Sequence, residues 1–362
     1  MKPLVQGERT RFLSRHYTLP FPPLSNTLSF DDVASWPEDP MRVFSQWYAD
    51  GEQAYNALSP HRMDGPVHWP NTMQIATLSP SGFPSVRTVL LKGFDPRGLV
   101  FFTNYDGAKG RALRANPRVA VNFYWKTLER QVRFEGFAEQ LTAAESDAYF
   151  YERPIQSQIG GVVSPQSRPI ASHADLERAY VATVQGVAQH VQAQLGRTSS
   201  LNKQDEAAEL EATKQRVSEL LGALSLKANA EHPATPPATA AAALAGGSQA
   251  TPVAIPAAAA PFSNAEAEDT HRAHAAALSS LQRLESSPLT QPLLHSLVKR
   301  PPYWGGFLIR PVSAEFWCDG AFRLHSRIVY RQKQEAGASA TDVSPPKGTA
   351  AETAWSKTFL AP

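Results

Sequence analysis

The chain has 362 residues, and its 35 Lys and Arg residues against 33 Asp and Glu give a formal net charge of +2. This balance argues against a surface built to bind nucleic acid, because such domains carry a clustered excess of basic residues. The single cysteine, Cys318, excludes a disulfide framework and a multi-thiolate metal centre, so no metal is expected.

No run of about 18 apolar residues is present to span a bilayer, and the first residues lack the apolar segment of a secretory signal. The expected compartment is therefore the cytoplasm, with no membrane partner. Four basic residues against Glu8 near the start leave a mitochondrial transit peptide as the alternative; they are Lys2, Arg9, Arg11 and Arg15.

The first 40 residues are rich in proline and have no sustained periodicity, which predicts an extended N-terminal arm over 1–40. From Pro40 to Leu58 the apolar residues recur at helical spacing, which predicts an amphipathic helix. Between Asn71 and Leu141 the pattern changes to short β-branched and aromatic runs separated by turn clusters, with one short helix in KGRALRANP. Closely spaced strands of this kind predict an antiparallel sheet.

A helix follows, with Thr142 as its N-cap and acidic residues in its first turn. Helical patterns then cover 173–195 and 205–226, and two strands come much later, in GGFLIRPVSAEFWCD and FRLHSRIVYRQ. The intervening Ala/Pro-rich tract, 228–270, has too few large apolar residues to offset the entropy of ordering and is predicted to be disordered. The predicted domains are thus 41–172, an insertion over 173–300 that begins with helix, and a closing segment over 301–362.

Several polar residues stand where a barrel would bring them together. Arg87 and Lys92 flank an apolar run, and Arg323, His325 and Arg327 alternate with other residues, which would place three basic groups on one face of a strand. Such a row suits a bound anion, although a solvated face would alternate in the same way. The alternative for Arg87 and Lys92 is that they are strand-end cations in solvent. Arg153 before Pro154 also has the alternative of a surface cation at a helix end.

Taken in order, these motifs resemble the pyridoxamine (pyridoxine) 5'-phosphate oxidase family. They are TVLLK, VFFTNY, NPRVAVNFYW, ERQVR-x-EG, YF-x-x-RP-x-x-SQIG, VS-x-QS, YWGGF, EFW, RLH-x-R and the final LAP. The likeness covers about 41–172 and 300–362. It implies a fold that is mainly β with flanking helices (α+β), an FMN-binding split β-barrel of antiparallel Greek-key type, carrying a long helical and disordered insertion.

The resemblance also implies a homodimer with FMN at the subunit interface and an oxidase that acts on pyridoxamine or pyridoxine 5'-phosphate. The product would be pyridoxal 5'-phosphate, with O2 reduced to H2O2. The implied FMN contacts are Arg87, Thr88, Val89, Leu90, Leu91, Lys92, Phe102, Thr103, Lys109, Gln131, Gln166, Ser167, Trp317 and Arg327. The implied substrate contacts are Lys92, Tyr149, Arg153 and Ser157 around the phosphate, with Arg323 and His325 as catalytic residues over the ring.

At neutral pH Arg323 cannot act as a base, so its expected role is orientation and charge stabilisation, while His325 accepts a proton or only contacts substrate. Four positions depart from the family pattern. Ala108 replaces a phosphate-binding cation, Ser326 an acid, Cys318 a glutamine and Phe359 an arginine. Losing one charge-assisted bond costs about 1.5 to 3 kcal/mol, which weakens FMN binding without abolishing it.

Two other hypotheses stand beside an active oxidase. The departures favour a catalytically weak relative that holds FMN or pyridoxal phosphate. The helical patterns of the insertion favour an interaction or regulatory arm, against the alternative of a tolerated surface insertion, since long loops cost little entropy.

Overall fold

The structure is a computed structural model and describes residues 21–24, 28–58, 69–197, 204–225, 264–285, 290, 294, 296–333 and 354–362. The chain divides into two compact units. Unit 1 comprises the described residues up to Ser146 together with those from Gly305 onward, and unit 2 runs from Asp147 to Trp304.

Unit 1 is built on a sheet of nine strands, most of which pair antiparallel. Their hydrogen-bonded order is β2-β1-β5-β6-β7-β4-β3, with β8 on β7 and β9 on β8. The strands are β1 Thr72–Leu78, β2 Pro84–Leu90, β3 Gly93–Asp95, β4 Gly98–Asn104, β5 Arg118–Trp125, β6 Arg130–Gln140, β7 Trp304–Cys318, β8 Ser326–Gln332 and β9 Trp355–Leu360. The order is open, with β2 and β3 at its ends.

Side chains alternate across this sheet, as the period-two pattern predicts. In β1 every second residue is buried, including Met73 and Ile75, and β5 alternates in the same way. The predicted fold class, mainly β with flanking helices in a split-barrel arrangement, is confirmed.

Helices α1 Pro40–Leu58 and α2 Ala108–Ala115 lie in unit 1, whereas α3 Ala143–Glu152 begins in unit 1 and belongs to unit 2 from Asp147 onward. Helix α1 covers the core face of the sheet. Its Phe44 ring is fully buried and lies 5.0 Å from Phe94 and 5.1 Å from Phe123, measured between ring centroids. All three helices were predicted, and α1 has the predicted bounds.

Unit 2 is helical. It contains α4 Ile155–Val163, α5 His173–Arg197, α6 Gln204–Ser225 and α7 Asn264–Glu285. The last three pack on one another, and α4 packs on α5 and α7. Their shared core contains fully buried side chains from each of the three long helices, namely Val184, Val187, Val191, Val217, Ala277 and Leu281.

Predictions for the insertion and the termini have mixed outcomes. Helices α5 and α6 lie where the periodicity predicts them. Most of the predicted disordered tract lies outside the described residues, but α7 begins at Asn264, inside it. Strand β9 and helix α4 were not predicted. The arm residues 1–20 and 25–27 lie outside the described residues, while Phe21, Leu28, Phe30 and Val33 pack on the core. None of the described helices is long and apolar enough to cross a membrane.

Candidate functional site

One cluster of basic and hydroxyl side chains lies in unit 1, where β1, β2, β4 and α2 converge. The Arg87 guanidinium donates to Thr77 Oγ1 at 2.7 Å and to Ser85 Oγ at 2.7 Å. Lys109, in the first turn of α2, donates from Nζ to Thr103 Oγ1 at 2.9 Å. We call Arg87, Thr103 and Lys109 the cation cluster.

The two cations of this cluster disfavour each other's charge. Burial lowers the pKa of Lys109, and the nearby positive charge of Arg87 lowers it further. Burial also lowers the pKa of Arg87, which nevertheless stays protonated. Within the described residues, no carboxylate lies within ion-pair distance of Arg87. Two partly desolvated cations held side by side suit a bound dianion such as a phosphate.

The run between Arg87 and Lys92 is fixed mainly through its backbone. Leu91 N donates to Asn71 O at 2.8 Å, and Asn71 Nδ2 donates back to Leu91 O at 3.0 Å. Lys92 N donates to Val100 O at 2.8 Å, which ties the end of the run to β4. Of the remaining predicted residues, Thr88 is exposed, Val89 and Leu90 are half-buried, and Phe102 packs on the cluster of Val100, Leu141 and Leu308.

A second group of predicted residues forms a row across three neighbouring strands. Gln131 of β6 pairs with Trp317 of β7, and Trp317 pairs with Arg327 of β8. Arg327 is held by Glu315, at 2.9 Å from Nε to Oε1, and by the Ala361 carbonyl at 3.0 Å. We call Gln131, Trp317 and Arg327 the strand row. Between Arg87 on β2 and the row, the sheet order places β1 and β5.

The predicted strand face of Arg323, His325 and Arg327 is wrong, since only Arg327 lies in β8. Residues 321–323 form a 3-10 turn, in which Phe322 and Arg323 have positive φ of 56° and 66°. This left-handed backbone breaks the period-two alternation. The turn leaves Arg323 exposed, with no hydrogen bond or ion pair to a described residue.

His325 lies directly after this turn and is held through one ring nitrogen. Its Nδ1 lies 2.9 Å from Asp319 Oδ1 and 3.3 Å from Gly320 N. The ring lies 4.9 Å from the Trp317 ring, measured between centroids, and is tilted by 43°. His325 is therefore anchored beside the strand row through Nδ1, and these two contacts do not involve Nε2.

A third cluster lies in unit 2, around the side chain of Arg153 between α3 and α4. The Arg153 guanidinium carbon lies 4.7 Å from the centroid of Trp304, whose ring stacks on Tyr149 at 6.1 Å and 16°. Nη1 of Arg153 is buried and has no hydrogen-bond partner among the described residues. Burial lowers the pKa of Arg153 and raises the pKa of Tyr149 to about 12. The phenol is thus a neutral donor beside an under-satisfied cation.

The other predicted residues of unit 2 lie on either side of α4. Ser157 is in its first turn, where its N–H donates to Pro154 O at 2.8 Å. Gln166 and Ser167 lie in the turn that follows α4, and Ser167 has a positive φ of 64°. Of the predicted substrate contacts, Tyr149, Arg153 and Ser157 belong to unit 2 and Lys92 to unit 1.

The four departures from the family pattern also have defined places. Ala108 is the first residue of α2 and adds no charge to the cation cluster. Ser326 begins β8 opposite Cys318, whose thiol pKa is raised by burial. Phe359 is half exposed on β9.

Two features escaped the sequence analysis. One is Trp304, for which the sequence alone predicts only interface or core packing, although an aromatic residue near a predicted anion-binding Arg is a usable signal. Glu177 of α5 is the second: its Oε1 lies 3.0 Å from His271 Nδ1 and 3.4 Å from His274 Nδ1, both on α7. Burial would raise its pKa, but these histidines and His173 hold the pKa below its usual range. No group of His, Cys, Asp and Glu in the described ranges has the arrangement of a metal site.

Comparison with protein families gives two matches. A family model described as pyridoxamine 5'-phosphate oxidase matches residues 60–190. Another, described as the pyridoxine 5'-phosphate oxidase C-terminal dimerisation region, matches residues 304–362. Together these ranges make up more than half of the chain.

Curated relatives are similar over part of the chain. The pyridoxine/pyridoxamine 5'-phosphate oxidase of Pseudomonas paraeruginosa is 52% identical over 145 residues, which cover 40% of this chain and 63% of the relative. The protein of the same name from Rubrobacter xylanophilus is 52% identical over 140 residues, covering 39% and 59%. The chain therefore spans less than two thirds of the length of each of these two relatives.

Among solved structures, the chain is similar to PhzG from Burkholderia lata 383, crystallised with tetrahydrophenazine-1-carboxylic acid. The TM-score is 0.50 at 17% identity, with 92% of this chain and 98% of that chain covered. At this identity the likeness concerns the fold alone.

Proposed function

Because the chain belongs to the pyridoxamine 5'-phosphate oxidase family, we propose that it is an FMN-dependent oxidase of phosphorylated B6 vitamers. It would oxidise pyridoxine 5'-phosphate, or pyridoxamine 5'-phosphate with uptake of water and release of ammonia, to pyridoxal 5'-phosphate, and would reduce O2 to H2O2. The observation that carries the proposal is the buried, unpartnered Nη1 of Arg153 beside Tyr149. An uncompensated buried donor costs about 1 to 3 kcal/mol, and the phosphate of the substrate would satisfy it.

The residues of unit 1 fit the phosphate of FMN. The cation cluster holds two like charges next to a buried threonine hydroxyl, and a dianion would relieve their repulsion. The backbone of 88–92 and the strand row would contact the rest of the cofactor. Gln166 and Ser167, which belong to unit 2, stay FMN contacts implied by the family resemblance.

Within unit 2, the substrate phosphate would be bound by Arg153, Tyr149 and Ser157, while Lys92 in unit 1 stays a contact implied by the family resemblance. Tyr149 donates a hydrogen bond because its phenol stays protonated at neutral pH. FMN, when bound, supplies the redox chemistry by accepting a hydride equivalent from the substrate and passing electrons to oxygen.

The protein's own part is to orient the substrate and to handle charge. The exposed Arg323 would orient the ring and stabilise developing negative charge. Since Nδ1 of His325 faces Asp319 and Gly320, its Nε2 would be the atom that meets the substrate.

We further propose a homodimer in which two copies complete each FMN site. Its support is the dimerisation-region match at 304–362 and the separation of the cation cluster from the strand row by intervening strands. The compartment would be the cytoplasm.

A direct assay tests the oxidase proposal. The full chain is purified, loaded with FMN and given pyridoxamine 5'-phosphate in air. The expected result is stoichiometric aldehyde and peroxide, and absence of both would overturn it. A catalytically weak FMN-binding relative, favoured by the uncharged Ala108 beside Lys109, would instead bind FMN tightly in a fluorescence titration without turnover.

A further inference from the structure

We propose that Trp304 and Gly161 are positioning residues that hold the guanidinium of Arg153 in its phosphate-binding place. This inference rests on the proposed function, because it assigns the support for a side chain that the proposed function places against the substrate phosphate. Neither residue needs to touch the substrate.

The first observation is the stacked arrangement around Trp304. Arg153 lies over the indole at 4.7 Å and Tyr149 stacks on the indole at 6.1 Å, so one ring contacts two predicted phosphate ligands. An indole is the best aromatic partner for a cation. The contact restrains a long side chain whose Nη1 makes no hydrogen bond to a described residue.

The second observation is that Trp304 is itself rigidly held. The residue is buried, and the Phe150 ring meets its ring edge-on at 5.2 Å. Its carbonyl accepts from Arg300 Nη1 at 2.7 Å, and Arg300 Nε donates to Asp147 Oδ1 at 2.6 Å. A fixed backbone and a packed ring give the guanidinium a defined surface to rest on.

The third observation is the close approach of α4. A Cβ built on Gly161 would lie 3.2 Å from Arg153 Nη1 and 3.6 Å from Trp304 Nε1. The absence of a side chain at 161 therefore leaves room for Nη1 against the ring. The neighbouring Gly160 meets nothing within 4 Å of its built Cβ.

These contacts allow a matched pair of variants. Gly161→Ala should displace the Arg153 guanidinium. Gly160→Ala makes the same change in the same helix, but its new methyl group has no atom within 4 Å to displace. Alanine favours the helix interior over glycine in both, so loss of folding would not explain a difference between them. Trp304→Leu removes the aromatic face but retains apolar bulk, and Trp304→Phe should recover part of the effect.

The readouts are kcat and KM for pyridoxamine 5'-phosphate, kcat/KM for unphosphorylated pyridoxamine, and calorimetric binding of pyridoxal 5'-phosphate to the full chain. Gly161→Ala and Trp304→Leu should each raise KM and the product Kd about three- to tenfold, with kcat nearly unchanged. The unphosphorylated vitamer should be unaffected, and Gly160→Ala should match the wild type.

Arg153→Gln separates the inference from the proposed function. In that background Trp304→Leu should add no further loss, since it acts through Arg153. If Arg153→Gln raises KM but Gly161→Ala and Trp304→Leu do not, or if Trp304→Leu impairs both vitamers equally, the inference is wrong and the proposed function stands. If Arg153→Gln itself leaves KM and product binding unchanged, both are wrong.

Discussion

At the scale of single residues, the positive charges of Arg87 and Lys109 in the cation cluster repel each other, and a bound anion would offset this repulsion. Lys109 and Arg87 each have a pKa lowered first by burial, and Lys109 also by the charge of Arg87. A charge that is unfavourable in the folded protein without ligand becomes favourable once a phosphate arrives. Binding residues of this kind contribute little to stability and much to affinity.

Lys109→Gln should therefore weaken FMN binding without destabilising the protein. Loss of one charge-assisted bond predicts a fall in affinity of roughly ten- to a hundredfold, measured by quenching of FMN fluorescence. The melting temperature of the FMN-free protein should stay level or rise. Lys126→Gln removes a charge from an exposed lysine and should change neither quantity. A large drop in melting temperature for Lys109→Gln would contradict this view.

The same residue predicts a pH dependence. Because burial and the nearby charge of Arg87 lower the pKa of Lys109, its charge is lost as pH rises through that lowered pKa. FMN affinity should fall over this alkaline range, before an ordinary lysine would titrate. Lys109→Arg should bind FMN with little change there, since arginine stays charged. Parallel titration curves for the two proteins would exclude Lys109 as the responsible group.

What the sequence predicts at this scale is the identity of residues more than their geometry. Arg87, Lys109 and Arg153 could be named from motifs, and each lies in a polar or aromatic cluster. The row of Arg323, His325 and Arg327 could not be placed, because nothing in FRLHSR reveals that Phe322 and Arg323 adopt positive φ. Left-handed residues other than glycine are held by their surroundings rather than by local preference.

At the scale of elements, features that neighbouring residues determine could be predicted, whereas features that depend on residues far away in the sequence could not. The start of α3 is a capping box: Glu145 N donates to Thr142 Oγ1 at 3.2 Å and Thr142 N donates to Glu145 Oε2 at 3.0 Å. Four consecutive residues specify it. Helix α4 begins at Ile155 after Pro154, which offers no side-chain cap, and its cap comes from Glu285, 130 residues away.

Glu285→Ala should loosen the first turn of α4. The carboxylate accepts from Ile155 N at 2.9 Å, and its charge also favours a helix N-terminus. Losing such a cap costs about 1 kcal/mol, which should appear as faster hydrogen exchange of the amides at 155–158. Glu268→Ala, an exposed site on the same helix α7, is the matched control. Equal exchange in the two variants would rule out the capping role.

At the scale of the whole molecule, the helices of the insertion behave as part of a core. Val217 of α6 and Leu281 of α7 are fully buried, as are Val184 and Val191 of α5. The amphipathic spacing predicted α5 and α6, but α7 could not be separated by composition from the Ala/Pro-rich tract before it. These three helices argue against a merely tolerated surface insertion.

Two deletions distinguish a core role of the insertion helices from a tolerated surface insertion. Removing 226–263, between α6 and α7, and joining the ends with a flexible linker should leave the melting temperature and activity unchanged. Removing 200–296 takes away α6 and α7 and exposes the apolar face of α5, at about 1.5 to 3 kcal/mol per uncovered side chain. That variant should unfold at lower temperature or become insoluble. Equal stability of both deletions would restore the interpretation as a tolerated insertion.

The strongest test at this scale concerns the assembly of the FMN site from two copies. Phe83 and Phe322 are 75% and 96% exposed, so a subunit interface could bury both rings. A symmetric dimer would bury such residues and would let the cation cluster of one copy face the strand row of the other. Each site would then need one element from each chain.

Complementation between two inactive variants measures this directly. Lys109→Glu damages the cation cluster and Trp317→Ala damages the strand row, so either homodimer should lack working sites. A heterodimer, purified through two different tags, would contain one intact site and one site with both defects. It should bind one FMN per dimer and show about half of the wild-type activity, as two-fold symmetry requires. If both elements belonged to a site within one chain, the heterodimer would stay as inactive as its parents.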